Sequence, residues 1–94
     1  MFKTDEDVIL FIDSLDTGSI LQYSINYAMK NLNHYLTLQS KWMEEERYLL
    51  GTVINHNPSE IELLDAWETH YNAERFRAFY VLRYPENVEK IRNN

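Results

Sequence analysis

Residues 19–50 read SILQYSINYAMKNLNHYLTLQSKWMEEERYLL, and the reading of this stretch decides the fold. Leu21, Ala28, Tyr35, Trp42 and Leu49 recur every seven residues, with Ile25 and Leu32 as a second row. Met29, Leu36, Met43 and Leu50 make a third. On a helix of 3.6 residues per turn these rows merge into one broad apolar stripe. No Pro or Gly interrupts it. The spacing therefore predicts one helix from Ser19 to Leu50, roughly 45 Å long, that needs a partner of similar length to bury its stripe. Gln39 and Glu46 fall within the stripe, and Asn31 and Asn33 weaken the helix midway, where a kink can form.

The flanking sequence supplies covers for that stripe. Thr4 reads as an N-cap, with Asp5, Glu6 and Asp7 in the first turn, where carboxylates favour the helix dipole. A short helix to about Asp16 follows, although Val8 to Ile12 also fits a buried strand. Gly18 and Gly51 read as helix terminators, Ser19 as a cap, and Val53 and Ile54 as residues tucked under the turn. Asn57-Pro58-Ser59-Glu60 is a helix start. The next helix is expected to run from Pro58 to about Tyr84, where Pro85 stops it, and a last short helix to reach Ile91. The fold expected is all-α: a single domain, 1–94, built as a long antiparallel helical hairpin (19–50 and 58–84) with a short helix at each end. Pairing about the turn puts residues whose numbers sum to roughly 109 side by side, so Trp42 faces Trp67, Leu32 faces Ala78, and Gln39 meets His70 or Tyr71.

Composition narrows the function classes. The net charge of −6 disfavours direct binding to nucleic-acid phosphates. There is no Cys, so neither disulfides nor thiolate chemistry enter. No apolar run approaches membrane-spanning length. The acidic N-terminus is unlike a signal peptide, and a cytoplasmic protein is the expectation. Residues 44–74 hold eight carboxylates against Arg47 alone, whereas 75–92 hold five basic residues against Glu86 and Glu89.

Few residues carry legible chemistry. His34, His56 and His70 lack the spacing of a helix-borne metal site, so no metal ligand and no cofactor is expected. Glu62-x-x-Asp65 is similar to half of the Mg²⁺-binding pattern of the all-α nucleotide pyrophosphohydrolases, whose other half, a Glu-x-x-Glu, is missing here. No Gly-rich phosphate loop or organised nucleophile is present. Two surfaces remain. Glu44, Glu45, Glu60, Glu62, Asp65 and Glu68 would crowd the tip of the hairpin and engage a basic partner surface, including one that itself holds nucleic acid. Tyr23, Tyr27, His34, Phe76, Tyr80 and Tyr84 would form second aromatic faces, suited to a partner or a homodimer unless the N-terminal helix covers them. The expectation is a small non-enzymatic regulator or inhibitor. A degenerate Mg²⁺-dependent nucleotide hydrolase and a homo-oligomeric structural module are the alternatives.

Overall fold

The computed structural model describes residues 2–69 and 72–91. It is mostly helical: α1 (Asp5–Asp13), α2 (Thr17–Ser24), α3 (Leu32–Ile54), α4 (Glu60–Thr69) and α5 (Asn72–Arg83). Two short strands, β1 (Tyr27–Met29) and β2 (Val88–Lys90), pair antiparallel, Ala28 opposite Glu89. A 3₁₀ turn at Pro85–Asn87 leads into β2.

The single helix expected over 19–50 does not form. Asn26 adopts the left-handed conformation, φ 64°, which a short polar side chain tolerates best after Gly. The Asn26 carbonyl accepts from the Ile91 amide at 2.7 Å, and the Lys30 amide donates to the Asn87 carbonyl at 2.8 Å, so the ladder extends past the paired strands. Asn31 then caps α3, its side chain accepting from the His34 amide at 3.1 Å. The C-terminal segment thus supplies hydrogen bonds that local periodicity cannot anticipate, and the last helix expected to reach Ile91 is a 3₁₀ turn and a strand instead.

The helix boundaries also move. Asp16, not Ser19, caps α2 by accepting from the Ser19 amide at 2.8 Å, and Gly18 lies inside that helix. Gly51 lies inside α3, which runs to Ile54 and closes on Asn55 at φ 65°. The absent Gly51 side chain leaves room for the turn: a Cβ there would stand 3.4 Å from the His56 carbonyl and the Pro58 ring. Ser59 and Glu62 form a reciprocal capping box for α4, at 3.1 and 3.0 Å. The helix expected over 58–84 is two, α4 and α5. The expectation that Gln39 meets His70 or Tyr71 falls outside the described residues; Gln39 is half-buried, with its amide 3.9 Å from Met43 Sδ. Two expectations at the N-terminus hold: Thr4 caps α1, and residues 8–12 are helical.

The organising element is α5. Phe76, Ala78, Phe79, Tyr80 and Val81 are all buried, on more than one side of the helix. Phe76, Phe79 and Tyr80 face α3, where Phe76 meets Tyr35 and Trp42 at ring distances of 5.1 and 5.2 Å. Ala78 and Val81 lie on the opposite side, where α1 and α2 pack with Val8, Ile12 and Ile20. The buried Val88 of β2 closes the same core. Asp5 and Asp13, at the two ends of α1, pair with Arg83 and Arg75 of α5. Two of the five basic residues of 75–92 are answered there. By contrast α3, 23 residues long, buries none of its described residues fully. Its rod gives the molecule a long dimension of 45 Å and a radius of gyration of 14.1 Å, against about 12 Å for a compact chain of this length.

Candidate interaction surface

The second half of α3 runs beyond the core, and α4 lies against it. Arg47 ties the two. Its guanidinium donates to Glu44 at 3.4 Å, to Glu60 at 2.7 Å and to the Pro58 carbonyl at 3.2 Å. The Glu60 carboxylate strengthens its hold on the proton above the ordinary arginine value. Glu62 is engaged as well. It accepts from the Ser59 amide and stands 3.2 Å from His56 Nε2, and the Ser59 hydrogen bonds lower its carboxyl pKa below the usual range. Three of the six tip carboxylates therefore hold structure together. Glu45, Asp65 and Glu68 are exposed, and their carboxylates make no hydrogen bond or ion pair among the described residues.

Those free acids share the surface with exposed hydrophobic groups. Val53 and Ile61 are each 81% exposed, and Leu49 is 58% exposed. Val53 does not tuck under the turn. Leu49 belongs to the same seven-residue row as Tyr35 and Trp42, so the stripe that α5 covers in the first half of α3 continues uncovered in the second.

Where the row leaves the core, a cavity of ≈ 330 Å³ opens between α1, α3, α4 and α5. Trp42, Trp67, Phe79, Leu49 and Ile9 form its apolar walls; Asp5, Glu45, Glu46, Asn72 and Arg75 supply its polar groups. Trp42 and Trp67 share this cavity and both contact the Phe76 ring, so the pairing expected from the turn holds here. The pairing of Leu32 with Ala78 fails: Leu32 is exposed and Ala78 fully buried. A shallow trough lined by Glu44, Glu45, Tyr48 and Leu49 adjoins the cavity and shares two residues with it.

The aromatic residues expected to face a partner are used within the chain. Phe76 and Tyr80 have no exposed surface, and α3 covers the face they form. The elements covering α5 are thus α3 on one side and the N-terminal helices on the other. Tyr84 meets the His34 ring edge-on at 4.9 Å, and Tyr23 packs on Phe11 at 5.9 Å. Tyr27 stands half-buried in β1. The residues the sequence reading passed over are Arg47, Arg75 and Leu49. Of these, Leu49 had a signal, because its row is longer than any cover in the chain.

No described helix is long and apolar enough to cross a membrane, and no group of three or more His, Asp or Glu among the described residues is placed to hold a metal ion. Compared with known proteins, the chain matches no family model, no curated protein and no solved structure.

Proposed function

We propose that this chain is a non-enzymatic protein-interaction module that engages a basic surface of a partner protein through the acid-flanked apolar face of α3 and α4. The observation that carries this reading is the combination on one face of uncovered apolar groups, Leu49 and Val53, with Glu45, a carboxylate that makes no ion pair among the described residues. Uncovered apolar area supplies affinity when water leaves it, and unpaired carboxylates select a cationic partner and speed its approach. Such a partner includes proteins whose basic surface otherwise holds nucleic acid.

The reading is tested by titrating the protein with a basic amphipathic peptide at several salt concentrations. Binding should weaken steeply between about 50 and 300 mM salt, with most of the loss in the association rate. Joint replacement of Glu45, Asp65 and Glu68 by Gln, Asn and Gln should weaken it further while keeping the helical content. Glu44, Glu60 and Glu62 stay untouched, because they hold Arg47 and the α4 cap. Unchanged affinity and salt dependence in the triple variant would overturn the reading.

A further inference from the structure

We infer that the cavity between Trp42, Trp67 and Phe79 receives an arginine side chain of the basic partner, an inference that rests on the reading above and names the residue recognised. Trp67 and Phe79 are buried and Trp42 is half-buried, so the cavity has aromatic walls with one indole reaching its mouth. Asp5, Glu45 and Glu46 line it against one cation, Arg75. Glu46 is engaged within the chain, and two more of these charges are answered from outside the cavity. Asp5 accepts from Arg83 at 2.7 Å, and Arg75 pairs with Asp13. Glu45 has no ion pair. The field left in the cavity is therefore negative.

A cation with a flat, weakly hydrated head meets its needs there. Indole attracts a cation over its face more strongly than any other side chain, and a guanidinium can stack on it while directing its fork at a carboxylate. The lysine ammonium is a compact and strongly hydrated charge, so it loses more water on entry and cannot stack. An anion would meet Glu45, and a neutral apolar group would strip water from that carboxylate without replacing it. The trough beside Tyr48 and Leu49 opens from the same residues, so the backbone bearing the arginine has a track to lie along.

The chain holds two tryptophans, and both line the cavity, so intrinsic fluorescence reports on it. Three peptides of equal length are titrated, alike except that their basic positions carry arginine, lysine or the neutral isostere citrulline. The arginine peptide should move the tryptophan emission to shorter wavelength and bind about tenfold more tightly than the citrulline peptide, with lysine between them. In Glu45→Gln, whose side chain is exposed and whose fold should persist, the preference for arginine over lysine should fall to parity. In Asp65→Asn, outside the cavity, it should remain. Trp42→Phe should lower the preference too, but Trp42 packs on Phe76 and Phe79, so Glu45→Gln is the deciding variant if that protein fails to fold. If arginine and lysine peptides bind equally without an emission change, yet salt weakens both, the cavity is not the receptacle and the broader reading stands. If neither binds at any salt concentration, both fall. A concentration-dependent emission shift accompanied by a doubled mass in the protein alone would overturn the inference in favour of a second copy as occupant.

Discussion

The Nδ1 atom of His34 lies 2.8 Å from the hydroxyl of Tyr80, a residue with no exposed surface. The Asn87 amide donates to the same hydroxyl at 3.3 Å. A hydroxyl carries one proton and two lone pairs, so Tyr80 can hold His34 Nδ1 and the Asn87 amide at once. Three elements meet in this chain of bonds: α3, α5 and the turn that leads into β2. Tyr80→Phe leaves the ring packing intact and takes the hydroxyl from two half-buried polar groups, His34 and Asn87, which keep only their own 3.4 Å contact. It should lower the unfolding free energy by about 1–3 kcal/mol in chemical denaturation. Wild-type stability in Tyr80→Phe would show that water satisfies these groups as well as the hydroxyl does.

Alkali should destabilise the fold through two phenols. Burial raises the pKa of both Tyr35 and Tyr80 above the ordinary phenol value; the Arg77 charge opposes the rise at Tyr35, and the Asn87 hydrogen bond opposes it at Tyr80. The folded state holds these protons more tightly than the unfolded chain does. Their contribution is therefore complete below pH about 10 and is lost as pH climbs through the raised folded values. Denaturation curves measured from pH 8 to 11 should show stability falling above 10, and Tyr35→Phe should flatten that fall.

How far the fold was legible follows from which forces are local. Thr4 could be assigned as a cap because a cap is made by residues three apart. Trp42 and Trp67 could be paired because the turn between them is short. Asn31 and Asn33 marked a weak point where a kink could form, but the full break at 25–31 could not be read, since the hydrogen bonds that stabilise it come from Asn87 and Ile91, about sixty residues away. Apolar periodicity across the break misled for the same reason: Ala28 fits the row and is exposed. At the candidate site the acids were legible as a cluster. That Arg47 takes two of them, and that Asp5 and Asp13 pair with two of the three arginines of α5, depends on which helices meet.

Replacing the two glycines tests the revised boundaries. A helix terminator in the left-handed region would resist alanine, but neither Gly18 nor Gly51 has positive φ, and both lie inside helices. A Cβ at Gly18 would meet only Asp16 Oδ1, at 3.6 Å. Gly18→Ala should therefore stabilise the protein by about 0.4–1 kcal/mol. Gly51→Ala should gain less, because its Cβ would touch the His56 carbonyl and the Pro58 ring. A destabilised Gly18→Ala in thermal or chemical denaturation would restore the terminator assignment.

The break between α2 and α3 is open to a test of sign. Were residues 19–50 one helix, alanine at position 26 or 31 would stabilise it, because alanine is the better helix former by a few tenths of a kcal/mol. The structure gives both substitutions the opposite effect. At Asn26 the backbone is left-handed, where a Cβ without a polar partner costs about 1–2 kcal/mol, so Asn26→Ala should destabilise and Asn26→Gly should not. At Asn31 the side chain caps the first turn of α3, and Asn31→Ala should cost about 0.5–2 kcal/mol. The sites are coupled through the ladder, since β1 lies between them and pairs with β2, so the double alanine variant should lose less than the two single losses added. Amide exchange supplies a second readout: Lys30 and Ile91, whose amides donate across the ladder, should lose protection in Asn26→Ala and keep it in Asn26→Gly. Stabilisation by both alanines, with the Lys30 amide protected as in a helix interior, would show that the continuous helix is the native state.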